Sequence, residues 1–244
     1  MTEEPLLSPL NNPPSLEKLA YDTIKQAILT FRIRPGETLV ESDLARQLGI
    51  SKTPVRESMF RLEKEGFIVK IPYKGYTAAP ISAQEIVEIF QVRAALEGTA
   101  ARLAAPQLSA ADLAQLTEIV NRHEQALTSN DSETAASANR QFHQFIIHKA
   151  GNQRLVQILA NLEDHLQRYR LLAAYQVGRP QKSASEHRQV LTAFVQHDGP
   201  AAAAALSAHL LSVLEDLTRQ DLADLVARAR QGDRLTPQPN AHQE

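Results

Sequence analysis

Three histidines in the second half of the chain have the type and spacing of metal ligands. His143 follows Asn139 by four residues, which places the two side chains on one face of a predicted helix. His187 and His209 lie on two later predicted helices, and a helical bundle can bring such residues together. Imidazole nitrogens suit Zn²⁺ and Ni²⁺. No spacing among the three forms a contiguous motif, so separate hydrogen-bonded histidines in the core or on the surface are the alternative.

Two arginines could bind an anionic small molecule. Arg93 lies on the apolar face of a predicted helix, four residues before Glu97. A guanidinium pairs with a carboxylate through two hydrogen bonds, so Arg93 could bind an organic acid inside a bundle. An ion pair with Glu97 is the alternative. Arg168 is a second candidate, whereas His123 and His165 are expected to be structural or exposed.

Polar residues nearer the N-terminus could contact DNA. Ser51, Lys52 and Thr53 lie at the predicted start of a helix, where hydroxyls, backbone N–H groups and the positive end of the helix dipole can bind phosphate. Arg56 lies one turn further along, where its guanidinium can bind O6 and N7 of guanine. A solvent-exposed helix face of mixed charge is the alternative.

Two further positions extend this DNA-facing set. Arg61 lies later on the same predicted helix and is expected to bind phosphate or to pair with Glu57 or Glu65. Lys74 and Gly75 form the tip of a predicted hairpin, where glycine permits the close approach that the minor groove requires. A helix and a hairpin tip are thus predicted to reach the same duplex.

Helix and turn signals place these residues in a winged helix-turn-helix over residues 15–79. Gly49 supplies the turn between its second and third helices. The predicted elements are a helix over 15–31, a helix near 42–48 with Ser42 as N-cap, a third helix with Thr53 as N-cap and Pro54 at its first position, and two strands around Lys74 and Gly75.

Beyond Pro80 the chain is predicted to be helical throughout, so the fold class is mainly α. Breakers separate six predicted helices, near 82–105, 109–129, 131–150, 152–176, 181–197 and 200–230. Ser82 and Ser109 are predicted N-caps of the first two, because an acidic residue follows each of them by three positions. Helices with short connections pack as an antiparallel bundle, assigned here to residues 82–232. The Pro-rich segment 1–14 is predicted to be a flexible tail and 233–244 a disordered one.

Composition excludes several classes of protein. The chain has no cysteine, so disulfides and thiolate metal sites are excluded and a cytoplasmic location is expected. No apolar run is long enough to span a membrane, and the acidic N-terminus lacks the basic region of a signal peptide. Residues 15–80 carry 11 Lys and Arg against 8 Asp and Glu, whereas the helical part carries 15 against 18. That asymmetry favours DNA binding by the first part.

The segment 15–80 resembles the GntR family of bacterial repressors and activators. The all-helical remainder resembles the family's FadR subgroup with its FCD ligand domain, and six helices rather than seven is closer to the VanR-like branch. The residues that carry the first resemblance are Arg32, Pro35-Gly36, Leu39, Glu41, Leu44-Ala45, Leu48-Gly49-Ile50-Ser51, Pro54-Val55-Arg56-Glu57, Leu62, Gly66 and Lys74-Gly75.

The resemblance implies roles for the candidate residues. Operator DNA is expected to meet Arg32, Lys52, Thr53, Arg56 and the Lys74-Gly75 wing. FCD domains typically carry Asp-x-x-x-His on one helix and a histidine on each of two later ones, which here correspond to Asn139, His143, His187 and His209. Arg93 is expected to bind an effector carboxylate.

One departure from the FCD pattern changes the expected chemistry. Asn139 replaces the usual Asp, and an amide oxygen brings no negative charge. Three neutral histidines with an asparagine leave a divalent ion at +2, so metal affinity is expected to fall and an acidic effector becomes a more needed ligand.

These observations predict a homodimeric, ligand-responsive transcription regulator, in the commoner case a repressor. It would bind a palindromic operator and respond to a small organic acid bound near a divalent metal, Zn²⁺ or Ni²⁺. The alternatives are a metal-dependent enzyme fused to a DNA-binding domain, which a three-histidine site could support, and a regulator with a metal-free bundle.

Overall fold

The computed structural model describes residues 15–72, 75–174, 176, 178–219 and 221–231. The chain separates into two compact units, residues 1–80 and 81–244. Both predicted tails, residues 1–14 and 233–244, lie outside the described residues. The helical content of the second unit and the helix-turn-helix of the first confirm the predicted fold class.

The first unit contains three helices and a small antiparallel sheet. The strand order is β1-β3-β2, and β3 pairs with both neighbours. The two-residue strand β1 was not predicted, because two residues are too few to show an alternating pattern. The elements are α1 Leu16–Leu29, β1 Thr38–Leu39, α2 Glu41–Leu48, α3 Lys52–Lys64, β2 Ile68–Ile71 and β3 Gly75–Ala78.

The structure corrects two predicted helix starts in this unit. Helix α2 begins at Glu41 and not after Ser42, because the N–H of Leu44 already bonds the carbonyl of Val40. Helix α3 has Ser51 as its N-cap and not Thr53. Gly49 ends α2 in the left-handed region at φ 67°, and the next helix begins three residues later, at Lys52. Thr53 therefore lies inside the first turn.

The second unit is a helical bundle. Two predicted N-caps are confirmed: the side chain of Ser82 accepts from the N–H of Glu85, and Ser109 forms a capping box with Asp112. The helices are α4 Ala83–Ala104, α5 Ala110–Thr128, α6 Ser132–Lys149, α7 Gln153–Ala174, α8 Arg179–Val195, α9 Gly199–Thr218 and α10 Leu222–Gln231, with a 3₁₀ turn at Ala105–Gln107.

The predicted count of six helices is wrong for the described residues, which form seven α-helices in this unit. The predicted sixth helix, 200–230, is divided into α9 and α10. The side chain of Asp221 accepts a hydrogen bond from the N–H of Ala223 at 2.8 Å, as a residue at a helix start does. Asp221 thus starts a new helix, so the count that favoured the VanR-like branch does not hold.

Helices α4 and α9 pack closely along a seam of small residues. A Cβ on Gly98 would lie 2.3 Å from Oγ of Ser207, and one on Gly199 would lie 2.8 Å from the carbonyl of Arg102. Ser207 donates a hydrogen bond to the carbonyl of Ala94 at 2.9 Å. This close packing fixes the helix that carries Arg93 and Glu97 against a helix that carries a candidate metal ligand. Among the helices described, none is long and apolar enough to cross a membrane.

Candidate metal centre and nucleic-acid interface

The bundle brings together the three histidines that the sequence singled out. His143 of α6, His187 of α8 and His209 of α9 are all buried, and a ring nitrogen from each lies within 4.8 Å of the others. Nε2 of His187 is 3.3 Å from Nε2 of His209. Ring nitrogens at these separations can bind one ion, so the convergence that spacing alone left open is present.

Two carboxylates orient two of these rings from outside the centre. Nδ1 of His143 lies 2.6 Å from Oε2 of Glu97, and Nδ1 of His209 lies 2.7 Å from Oε2 of Glu186. A carboxylate accepts the proton of Nδ1, so in each ring Nε2 keeps its lone pair. Carboxylates hold metal-binding histidines in other proteins in this way.

Burial keeps the three imidazoles neutral. It lowers the pKa of His143 to about 3 and lowers the pKa values of His187 and His209, the former strongly. Burial alone would raise the pKa of Glu97, but Arg93 and His143 outweigh it and hold that pKa well below its usual range. Neutral imidazole is the form that binds a metal, whereas imidazolium does not.

The donor set fits a divalent metal ion. His187 stacks on the ring of Phe142 at a centroid distance of 3.9 Å, and within the described residues its buried Nδ1 has no hydrogen-bond partner. Most buried polar atoms in folded proteins have a hydrogen-bond partner, so this nitrogen is an exception. Asn139 is half-buried on α6, one turn before His143. Three imidazoles with an amide oxygen nearby suit Zn²⁺ or Ni²⁺.

Arg93 is joined to the histidine cluster through Glu97. Its Nε donates to Oε1 of Glu97 at 2.5 Å, while Oε2 of the same carboxylate accepts from His143. The ion pair that the sequence offered as an alternative is therefore present. Arg93 is only 2% exposed, and its Nη2 is buried with no hydrogen-bond partner in the described part of the chain. One donor of the guanidinium thus remains for a ligand.

Arg168 is buried on α7, near Glu85 and Tyr169. Burial lowers its pKa, and the two neighbours oppose that shift. The Arg93 guanidinium lies 5.6 Å from the ring centroid of Phe90, and the ring of Tyr169 lies 6.5 Å from the same ring. Phe90 is therefore a neighbour both of Arg93 and of Tyr169, the residue next to Arg168.

Glu186 is a site residue that the sequence did not single out. It adjoins His187 on α8 but contacts His209. Adjacent helical residues point about 100° apart, and α9 packs against that second face of α8. Glu186 is also held by Ser212 at 2.7 Å and by the buried Arg179, two turns earlier on α8.

His123 is a second residue whose environment the sequence did not reveal. It is 3% exposed on α5, and its ring centroid lies 5.2 Å from that of His187. Burial, aided by His209, lowers its pKa to about 4. A single histidine with no neighbouring motif carries no signal of this proximity.

The residues predicted to contact DNA are exposed wherever the structure describes them. Ser51, Lys52 and Thr53 are exposed at the start of α3, whose first turn holds no acidic residue. Arg32 is exposed in the loop before β1. Gly75 starts β3 at φ 90°, a conformation that suits glycine. Lys74, the other predicted wing residue, lies outside the described residues.

The two candidate arginines of α3 have different surroundings. Arg56 is exposed, and its Nη2 and Nε lie 2.9 and 3.1 Å from Oε2 of Glu41 at the start of α2. Arg61 instead stacks on the ring of Tyr21, 3.7 Å from its centroid, and its Nε donates to Glu65 at 3.1 Å. Glu57 and Glu65 were the acidic partners expected for Arg61, and the contact is with Glu65.

Family models match both units. A model described as bacterial regulatory proteins of the GntR family matches residues 16–77, and the FCD domain model matches residues 88–212. The two matches lie within the two compact units and together span most of the chain.

Curated relatives and solved structures agree with this assignment. The chain is 28% identical over 82% of its length to 84% of an HTH-type transcriptional regulator in an unstable DNA locus of Streptomyces ambofaciens. It is 25% identical over 92% of its length to 98% of the HTH-type transcriptional repressor RspR of Escherichia coli (strain K12). The solved structure of E. coli McbR/YncC has a TM-score of 0.64 at 25% identity, covering 83% of this chain and 98% of that one.

The matched domains and relatives are transcriptional regulators and not enzymes. The chain belongs to the GntR family of bacterial regulatory proteins and is a DNA-binding transcription regulator with an FCD effector-binding domain.

Proposed function

We propose that this regulator is a homodimeric repressor whose FCD unit binds a divalent metal ion and a small carboxylate, and whose winged helix-turn-helix binds a palindromic operator in the cytoplasm. The observation that carries the proposal is the buried cluster of His143, His187 and His209 beside Arg93. A two-fold dimer presents two recognition helices, so two half-sites related by symmetry suit it. The name of RspR as a repressor supports the sign of regulation.

The metal would be held by Nε2 of the three histidines, with Asn139 offering an amide oxygen as a further ligand. Bound there, a Zn²⁺ or Ni²⁺ ion supplies a positive charge and an open position for an anion. Glu97 and Glu186 fix the rings of His143 and His209, so these ligands keep their orientation before the ion arrives.

Arg93 would bind the effector carboxylate through Nη2, and Arg168 is a second candidate deeper on α7. Arg93, Glu97 and His143 form a continuous series of hydrogen bonds. A carboxylate that binds both Arg93 and the metal centre would therefore contact two helices, α4 and α6, and could change their relative position. This is how we expect ligand binding to bias the position of the DNA-binding units.

Operator contacts are proposed for Arg32, Ser51, Lys52, Thr53 and Arg56, with Lys74 and Gly75 at the wing. Arg56 is exposed and already oriented by Glu41, so it can offer its guanidinium to a base edge. Arg61 is held by Tyr21 and Glu65 and would act on phosphate from the edge of the interface.

Operator release by an acid tests the function. A labelled duplex from the chain's own promoter region is titrated with metal-loaded or chelator-treated protein while small carboxylates are screened by fluorescence anisotropy. We expect at least one acid to weaken binding about 5- to 150-fold, the usual range of coupling, and the effect to be lost in Arg93→Ala. An acid recovered unchanged supports a sensor, and turnover supports the enzyme alternative. Release that survives chelation supports a metal-free bundle instead.

A further inference from the structure

The third metal ligand lacks the partner that the other two have. Glu97 accepts from Nδ1 of His143, and Glu186 accepts from Nδ1 of His209. Nδ1 of His187 is buried, and among the residues that the structure describes it has no hydrogen-bond partner. A metal-ligating histidine almost always donates its second ring N–H to an acceptor, so this nitrogen needs an explanation.

The hydrogen bonds assign the protons of these rings in the metal-free form. Nδ1 of His209 carries the proton that it donates to Glu186, so its Nε2 has a lone pair. Nε2 of His187, 3.3 Å away, therefore carries a proton and donates it to His209. Ligation through Nε2 of His187 requires a lone pair on that nitrogen, so the proton must lie on Nδ1. The metal-binding tautomer of His187 thus has a buried donor that needs an acceptor.

The ring of His123 on α5 is a neighbour of the His187 ring and could provide this acceptor. Its ring centroid is 5.2 Å from that of His187, with the two planes tilted by 38°. Nδ1 of His123 is also buried, and in the described residues it too lacks a partner. A neutral imidazole has one ring nitrogen with a lone pair, so His123 can accept a hydrogen bond.

We propose that His123 is a positioning residue of the metal centre: the two Nδ1 atoms are not hydrogen-bonded to each other in this structure, but in the metal-bound form Nδ1 of His123 accepts from Nδ1–H of His187 and holds that ring with Nε2 turned to the metal. The inference rests on the metal site proposed above. His123 acts from outside the ligand set, because the described nitrogens within 4.8 Å of one another come from the other three histidines. Unlike Glu97 and Glu186, it brings no negative charge, which leaves the centre open to an anionic effector.

Metal affinity tests this role in the full-length protein. Zn²⁺ dissociation constants are measured by chelator competition, and visible absorption of the Co²⁺ form reports the ligand set. His123→Phe keeps the ring volume without nitrogen, and we expect it to weaken Zn²⁺ binding about 10- to 100-fold at unchanged stoichiometry and unchanged Co²⁺ bands. His123→Asn places an amide oxygen near the position of Nδ1 and should recover most of the affinity. His148→Asn, on the exposed face of α6, is the matched control.

Wild-type affinity in folded His123→Phe would overturn the positioning role, and altered Co²⁺ bands would overturn the claim that His123 is not a ligand. A wild-type chain that binds no metal would instead refute the metal site itself. If His123→Phe fails to fold, ring-nitrogen NMR of the Zn²⁺-loaded wild type decides. A protonated Nδ1 of His187 that is coupled to His123 supports the role, and an uncoupled one refutes it.

Discussion

Glu97 uses both of its carboxylate oxygens inside the second unit, one for Arg93 and one for His143. It is 1% exposed, so these contacts replace water entirely. A buried carboxylate is stable only when its charge and lone pairs are satisfied. Glu97 therefore neutralises Arg93, and in the proposed metal centre it would also orient the ligand His143.

Glu97→Gln tests the contribution of the Glu97 charge apart from that of side-chain packing. The substitution keeps the shape but leaves the charge of Arg93 buried without a counter-ion, so we expect the free energy of unfolding to fall by about 3–5 kcal/mol. Urea denaturation measures it. Glu88→Gln changes an exposed residue of the same helix and should stay within about 0.5 kcal/mol of wild type. Equal stability of the two variants would contradict the assigned network.

Arg56→Ala tests the recognition helix. Loss of one base-contacting arginine should cost about 1–3 kcal/mol of operator binding and relax specificity at one base pair. The pair with Glu41 is exposed, so thermal stability should change little. Anisotropy titration of operator variants measures the loss, with Arg140→Ala on the surface of the second unit as the control. An operator affinity equal to that of the control would show that Arg56 does not read DNA.

The buried histidines predict a stability that depends on pH. The folded-state pKa values of His143 and His123, about 3 and about 4, lie below the ordinary value near 6.5. Their contribution is complete above that value and is lost as pH falls toward the folded pKa, because unfolding then takes up protons. Each such histidine should lower the unfolding free energy of metal-free protein by about 1.4 kcal/mol per pH unit. Urea titrations between pH 7 and pH 5 measure the unfolding free energy, which should depend less steeply on pH in His123→Phe than in wild type. An identical pH dependence in the two proteins would refute this.

The α4–α9 seam dominates at the scale of elements, because it sets the position of Glu97 and His209 together. Gly98 permits the contact, and a methyl group there would meet Oγ of Ser207. Overpacking of this kind costs about 1–3 kcal/mol. The seam is where a small substitution should act on the metal centre without touching a ligand.

Gly98→Ala should therefore destabilise the protein, and Ser207→Ala in the same chain should restore much of the loss by removing the clashing oxygen. A double-mutant cycle by chemical denaturation measures the coupling. Ser207→Ala alone is the control for the lost hydrogen bond to Ala94. Additive effects of the two substitutions would mean that the helices adjust and that the seam is not tightly fixed.

Elements with strong local signals were predictable, and those set by tertiary context were not. Ser82 and Ser109 were recognised because an N-cap followed by an acidic residue acts locally. Strand β1 exists only because β3 pairs with it. The break before α10 depends on Asp221, a residue that is tolerated within helices and carries only a weak stop signal.

At the scale of the molecule, the convergence of three histidines could not follow from spacing. His143, His187 and His209 lie on separate helices, and periodicity tells which face is buried but not which helices are neighbours. The resemblance to the FCD domain supplied that information. The neighbours Glu186 and His123 are placed beside the histidines by side-chain packing, so only the structure revealed them.

The two units give the regulator an input and an output. We propose that the input is the buried three-histidine cluster connected to Arg93, and that the output is the helix whose exposed start carries Ser51, Lys52 and Thr53. Reciprocity requires that an acid which weakens operator binding is itself bound less tightly by the operator complex. The proposed coupling between acid binding and operator binding depends on a metal ion bound by the three histidines.

The number of metal ions per chain shows most directly whether the three histidines form a metal site. Purified protein is loaded with Zn²⁺ or Ni²⁺, desalted and analysed for metal per chain by mass spectrometry, beside His143→Ala and the exposed control His148→Asn. We expect one ion per chain in wild type and in the control, and none in His143→Ala. Wild-type protein without metal, or undiminished metal in His143→Ala, would contradict it.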